Sequence, residues 1–194
     1  MLKIAYDLLY KHDLEKNHKF PMIKYELIPE QLVKEKTCDS SSFFVPDDID
    51  ENVIVETHDV NYYNRLSNLE LNNKEIRAIG FPLSEVLVKR EKIIVQGTIE
   101  SALFALKYGV GMNIAGGTHH AFSNKAEAFC LLNDQSIAAN FLINYKFCKR
   151  ILILDLDVHQ GNGTAEIFKD AINVYTVSFH GKKNYPFRKE KSEK

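Results

Sequence analysis

Four consecutive apolar residues, Ile151-Leu152-Ile153-Leu154, run without a break into Asp155-Leu156-Asp157-Val158-His159. An unbroken apolar run of that length reads as a buried strand of a parallel sheet, because such strands are covered on both faces and have no polar side to show. The same logic extends along the chain. Ile94, Ile99, Ala102, Leu103 and Leu106 approximate a helical stripe, with Gly109 placed as its stop. Asn113-Ile114-Ala115 is a short strand candidate leading into Gly116-Gly117, and Asp134 is placed to cap a helix with apolar positions Ile137, Ala138, Phe141 and Leu142. A helix over 164–168 and a strand at Val174-Tyr175-Thr176-Val177, ending in Ser178-Phe179-His180, complete the series. Strands alternating with helices predict an α/β fold built on a parallel sheet with helices on both faces. The first third is polar and irregular and predicts short helices and loops, including a helical stretch from Thr57-His58 to Leu69.

Composition narrows the class. A chain of 194 residues with 45% hydrophobic residues is sufficient for one domain, expected to span 1–194. Lys+Arg 25 against Asp+Glu 26 gives no basic excess, which speaks against direct nucleic-acid binding. Cys38, Cys130 and Cys148 are widely spaced and form no Cys-x-x-Cys pair, so neither a zinc ribbon nor a thioredoxin-type site is expected, and reduced thiols are. Charges within the first seven residues break any signal-peptide pattern, and no apolar segment reaches the roughly 18–20 residues of a membrane helix. A soluble, cytoplasmic protein with no membrane partner is the expectation.

In parallel α/β folds functional groups gather beyond the carboxyl ends of the strands. Three clusters fall there: Gly116–His120, Asp155–Asn162 and Ser178–His180. Asp157 and His159, two residues apart at a strand exit, are both suited to turn toward one point. Their oxygen and nitrogen suit zinc, at about 2.0–2.2 Å, or a similar divalent ion. A catalytic zinc takes three protein ligands, so a third must come from elsewhere. Alone, Asp155-Leu156-Asp157 is equally a magnesium-binding strand end of the phosphoryl-transfer type, or a loop that caps a helix. That reading leaves His119-His120 and His159 unexplained. Two adjacent histidines at a second strand exit fit a general base and a positively charged partner above a metal, with Asp155 orienting one imidazole and Asn162 bonding the other. Gly116 and Gly117 would let the backbone pass close to the site, and Gly161 and Gly163 would permit the sharp loop after His159.

Three linked motifs carry a resemblance: Gly116-Gly117-Thr118-His119-His120-Ala121, Phe129-Cys130-Leu131-Leu132-Asn133-Asp134, and Asp155 through Thr164. Together they resemble the zinc-dependent histone deacetylase family, in particular its class IV branch and related bacterial deacetylase-like proteins, with Gln160 and Asn162 favouring that branch. Weaker echoes occur at Phe20–Tyr25 and Gly181–Phe187. The resemblance implies a three-layer parallel sheet of the arginase/deacetylase type and hydrolysis of acyl-lysine amides. It implies Asp157 and His159 as two zinc ligands, His119 and His120 as catalytic proton carriers, and Asp155 and Asn162 as their supports. It also implies Phe129 as a wall of the substrate tunnel. A structural potassium would be held by Asp155, Ser178 and the backbone of Asp157, His159 and Phe179.

The family's third zinc ligand, an Asp, and its catalytic Tyr lie beyond the point where this similarity stops, near Lys189-Glu190-Lys191-Ser192. The fold is therefore expected to be incomplete at its C-terminal side through a truncation, with an apolar sheet edge and helix faces exposed and the chain alone inactive. The alternatives are a non-catalytic remnant, a half-domain completed by a second polypeptide, and an enzyme acting on a small acylated amine of the polyamine type. A further departure is Ala126-Glu127-Ala128-Phe129-Cys130, where the family usually has Gly-Glu-Gly-Phe-Cys and Ala128 adds a methyl group.

Overall fold

A computed structural model describes residues 2–191; the point at which the sequence leaves the family pattern, residues 192–194, lies outside them. In chain order the elements are β1 (Lys3–Ala5), α1 (Lys24–Lys34), β2 (Phe43–Phe44), α2 (Glu51–Val55), α3 (Val60–Ser67), α4 (Asn73–Ile79), α5 (Glu85–Tyr108), β3 (Gly111–Asn113), α6 (Asp134–Asn144), β4 (Ile151–Asp155), α7 (Asn162–Ile167) and β5 (Val174–Ser178). They fall into two compact units, Met1–Ile49 with Ser84–Gly116 and Asp50–Leu83 with Gly117–Lys194.

In the first unit, β1 lies between β2 and β3, parallel to both, with Ile4 opposite Phe43 and Met112. The expected helical stripe lies within α5, where Ile94 and Ile99 are buried, Ala102 and Leu103 are half-buried, and Leu106 is exposed, contrary to the expectation. Ser84 Oγ caps it by accepting from Leu87 N at 3.1 Å, and Gly109 ends it at φ +92°, where its N–H reaches Ala105 O. The side chain of Asn113 donates to Ile94 O and Thr98 Oγ1 of α5, both at 2.9 Å, and Ser101 Oγ donates to Met112 O at 2.8 Å. Those bonds end β3 at Asn113, short of the Ala115 that its apolar residues suggested. β1 and β2 were not legible in the polar first third, because strands of three and two residues carry too little periodicity to register.

The second unit holds β4 and β5, paired in parallel with Asp155 opposite Ser178. One face of this pair packs as expected: Ile153 and Val174 join Ala139 and Phe168 in a buried cluster bordered by Ile143, Ile151, Ile167 and Ala171. The expectation of a strand buried on both faces fails on the other side. Leu152 is 62% exposed, Leu154 51% and Tyr175 53%, so a row of apolar side chains faces solvent. The sequence suggested an exposed sheet edge and helix faces; what lies exposed here is a face of β4–β5. The cap of α6 is Asn133, whose side chain accepts from Ser136 N at 3.1 Å, while Asp134 is the first helical residue. The stretch expected from Thr57 to Leu69 is helical over α3, with Asp59 accepting from Tyr62 N at 2.9 Å as its cap.

A parallel pair with one bare apolar face is a template for association. Leu154→Lys is expected to reduce concentration-dependent self-association, measured by light scattering, while shifting stability by no more than about 0.5 kcal/mol, as for a surface change. An equal degree of association in the variant would show that this face is not the sticky one.

Candidate active site

Loops of the second unit bring His119, His120, Asp155, Asp157, His159 and Asn162 together. Parallel pairing of β4 with β5 sets the frame, and Phe179 N donates to Asp155 O at 2.9 Å just past the strand end. The carbonyl of His119 accepts from Gly163 N at 3.0 Å and Thr164 N at 3.2 Å, which ties the histidine loop to the start of α7. The glycines serve this approach differently from the sequence reading. Gly116 and Gly117 are needed for their positive φ, +108° and +68°, whereas a Cβ on Gly163 would strike Ala121 O and stand 2.8 Å from the carbonyl carbon of His120.

Both imidazoles are buried, and each has its Nδ1 committed. His119 Nδ1 lies 2.7 Å from Asp155 Oδ2, and His120 Nδ1 lies 2.6 Å from Asn162 Oδ1. A carboxylate and an amide oxygen only accept, so both rings carry their proton on Nδ1 and, when neutral, present Nε2 as the free base. The rings sit 4.1 Å apart between centroids. Burial, reinforced by the neighbouring His119, pushes the His120 pKa down to about 4, so this ring is neutral at physiological pH. Burial pushes the Asp155 carboxyl up, but the hydrogen bonds from His119 and from Asp157 N outweigh it, and its pKa is lowered.

Asp157 and His159 are more open, with side chains 51% and 41% exposed. Asp157 Oδ1 accepts from His159 N at 2.7 Å and stands 3.0 Å from His159 Nδ1. In a tetrahedral zinc site with bonds near 2.0–2.1 Å, two donor atoms are separated by about 3.3 Å. The pair therefore fits zinc as two of its ligands, in donor type and in spacing. Among the described residues no group of three or more His, Cys, Asp or Glu side chains is placed to hold a metal ion. Of the potassium candidates, strand register sets Asp155 beside Ser178 and Phe179, and Ser178 Oγ lies 2.9 Å from His180 Nδ1.

Residues 15–194 match the family model for the histone deacetylase domain. The chain belongs to the histone deacetylase family. An uncharacterized protein of Picosynechococcus is 37% identical over 190 residues, covering 98% of this chain and 63% of that one. Histone deacetylase 2 of Arabidopsis thaliana is 28% identical over 190 residues, covering 94% and 49%. The crystal structure of an HDAC homolog complexed with SAHA superposes with a TM-score of 0.83 at 28% identity, covering 97% of this chain and 54% of that chain. The α/β architecture with parallel sheets is thus that of histone deacetylases, and this chain spans about half to two thirds of the length of these relatives.

Phe129, the tunnel candidate of this family member, packs its ring on Phe81 at 5.0 Å. Ala128 and Phe129 occupy the two central positions of a tight turn in which Glu127 and Cys130 exchange backbone hydrogen bonds, with φ +46° and +67°. Paired positive φ values of this kind mark a two-residue hairpin that favours glycine, which explains why the family pattern has Gly where this chain has Ala128. The sequence reading missed Tyr185, whose ring lies 4.9 Å from His120 and 6.3 Å from His159. It also missed the role of Glu127, which accepts from Tyr185 Oη at 2.8 Å, and the junction at Asn133. Asn133 has no solvent exposure; its amide donates to Ala121 O at 2.9 Å and its N–H donates to His58 Nε2 at 3.0 Å. The signal for Tyr185 was its place in a segment that echoed the family; Asn133 was read only as part of the Phe129–Asp134 motif, with the cap given to Asp134.

Two expectations follow. Ala128→Gly is predicted to stabilise the protein by up to about 1 kcal/mol. It relieves a left-handed conformation that costs other residues roughly 1–2 kcal/mol, and glycine's added chain entropy takes back part of that gain. Chemical denaturation measures it, and a loss of stability would refute the strain. The second concerns His58, buried and held neutral with its pKa lowered to about 4 by burial, against the hydrogen bonds to Ser123 and Phe122. A histidine depressed from 6.5 contributes stability that is complete above pH 6.5 and lost as pH falls toward 4, on the order of 3 kcal/mol in total. His58→Gln keeps an acceptor for Asn133 N and should reduce the pH dependence of unfolding across that window by its share, leaving the part due to His120. An unchanged slope would place the acid sensitivity elsewhere.

Proposed function

We propose that this chain supplies the zinc-binding pair and the proton-handling histidines of a deacylase that hydrolyses acyl-lysine amides. One observation carries the reading: two adjacent buried imidazoles, each fixed through Nδ1 to a separate acceptor, stand beside an Asp–His pair whose donor atoms are 3.0 Å apart. Zinc held by Asp157 and His159 would polarise the acyl carbonyl and make its bound water a stronger acid. His119 and His120, each with its Nε2 free of the hydrogen bond that fixes its Nδ1, are then the groups that receive the water proton and return it to the leaving amine. Asp155 orients the His119 ring, while Asn162 keeps His120 in a single tautomer. Phe129 is assigned to the wall of the acyl tunnel. Potassium is assigned to Asp155, Ser178 and the backbone of Asp157, His159 and Phe179. No disulfide joins Cys38, Cys130 or Cys148, which accords with a reducing cytoplasmic setting, and no helix among the described residues is long and apolar enough to cross a membrane.

A second reading is favoured by the bare β4–β5 face. Leu152, Leu154, Tyr175 and Val177 form the kind of surface that parallel sheets keep covered, and the chain matches only part of its relatives' length. On this reading the 194 residues act as a half-domain that further polypeptide completes, bringing the third carboxylate ligand and the oxyanion tyrosine for which the resemblance offers no match in this sequence. The loss of one oxyanion donor alone costs about 10²–10³ in rate.

The test is hydrolysis of a fluorogenic acetyl-lysine peptide in the presence of zinc. The 194-residue chain alone is expected to give no turnover above a metal-free control. The same chain joined to the remainder of a family domain is expected to turn over. His120→Ala should then lower the rate by about 10²–10⁴, and Asp157→Asn should abolish zinc-dependent activity. Turnover by the chain alone would overturn the half-domain reading, and a completed protein that cleaves acetylated polyamines but no acetyl-lysine peptide would overturn the substrate assignment.

A further inference from the structure

Residues 181–190 cross the site and are fastened at three points. Gly181 N donates to Val158 O at 2.9 Å, at the start of the segment. In the middle, Tyr185 Oη donates to Glu127 Oε2 at 2.8 Å. At its end the side-chain amide of Gln160 makes two bonds to the backbone of one residue: Gln160 Nε2 donates to Glu190 O at 2.9 Å, and Glu190 N donates to Gln160 Oε1 at 2.8 Å. Gln160 itself is buried, next to His159, whereas the side chain of Glu190 is exposed.

This pairing satisfies both polar ends of a buried amide with a single partner, as two strands do for each other's peptide groups. Withdrawing Glu190 would take both hydrogen bonds from the buried Gln160 amide. The contact is thus strong enough to hold the end of a segment that otherwise has little to bury. Of the side chains in 181–190, only Pro186 is buried. What the clamp fixes is Tyr185. Its ring stands edge-on to His120 at 82° and to His159 at 68°, and its hydroxyl is turned away into Glu127. Glu127 also interacts with Asn162, the partner of His120 Nδ1, so the segment and the histidine share one set of supports.

We propose that Gln160 is a positioning residue: by pairing with the backbone of Glu190 it holds residues 181–190 down, so that the Tyr185 ring stays in place as a wall beside His120 and His159. The value of that wall for an acyl substrate rests on the deacylase reading. The positioning itself does not.

The experiment is solution NMR of the chain without substrate, following the nuclear Overhauser contact between the Tyr185 ring and His120, the ring-current shift of His120 Hε1, and amide exchange over 185–190. Gln160→Ala is expected to remove the Overhauser contact, relax the shift and speed exchange in this segment by about tenfold or more, as for local opening, with the far-UV circular dichroism unchanged. Glu190→Pro removes the backbone donor to Gln160 Oε1 at an exposed position, with its fixed φ as the accompanying change, and is expected to do the same. Tyr185→Phe should keep the ring in place, since it loses only the bond to Glu127. Survival of the Overhauser contact in both Gln160→Ala and Glu190→Pro would overturn the proposal, as would release of the ring by Tyr185→Phe alone. Global unfolding of Glu190→Pro would also overturn it, because the clamp would then belong to the whole fold. Absence of turnover in a completed protein would sink the deacylase reading and leave these signals untouched, so the two failures are separable.

Discussion

The side chain of Asn133 is the joint on which the site's geometry depends. It caps α6 through Ser136 N, holds the end of the histidine loop through Ala121 O, and reaches Thr164 Oγ1 of α7 at 3.1 Å. Three segments far apart in sequence converge on one buried amide, and its own N–H is taken by His58. Buried polar groups of this sort cost little while every partner is present and much when one is missing. The arrangement therefore accepts few alternatives. Next to it, Thr118 N donates to Asp134 Oδ1 at 2.8 Å and Asp134 N donates to Thr118 Oγ1 at 3.1 Å, a reciprocal lock on the same loop. His119 and His120 extend from a backbone that is fixed from both sides.

What was legible in the sequence follows from how local each signal is. The ends of β4 and β5, the helix stop at Gly109 and the partners of the two histidines could be read, because apolar runs and short motifs encode them within a few residues. The assignment of α6's cap to Asp134 was off by one residue, since Asn133 and Asp134 are both good caps and only the bond from Asp134 to Thr118 decides between them. The glycines were recognised for the wrong reasons. Gly163 is required by space at Ala121, a neighbour more than 40 residues away, and no local pattern announces such an approach. Tyr185, Glu127 and Gln160 were missed as a working group for the same reason. Each looks ordinary where it stands, and only the folded chain brings them together.

The β4–β5 pair shows the two sides of a parallel strand's composition. Ile153 and Val174 reached the core that their sequence called for, whereas Leu152, Leu154 and Tyr175 have the same apolar character and face solvent. Composition states that a strand must be covered on both faces; it does not name what covers it. Apolar residues exposed as a row, opposite a well-packed face, are a demand left open by these residues. Coverage of only 49–63% of the compared relatives is the matching fact at the level of chain length.

The two halves of the site differ in how firmly they are built, and that difference has a physical cause. The histidines are buried, with their tautomers set by acceptors that are themselves held, so their orientation owes nothing to a metal. Asp157 and His159 are half exposed and bond to each other within a single turn. Burial can orient a neutral imidazole at small cost, because it carries no charge and a hydrogen bond at one nitrogen compensates for part of the lost water. A bare carboxylate aimed at an ion cannot be buried in advance so cheaply, because its charge stays unpaired until the ion arrives. On the proposed zinc reading, a site that must bind a cation is expected to rest with its ligands open and its proton carriers closed, and the arrangement of these residues is consistent with that rule. Preorganisation is invested in the groups that can be preorganised without a charge, and Tyr185 with its anchors extends the same fixed shell beside His120 and His159.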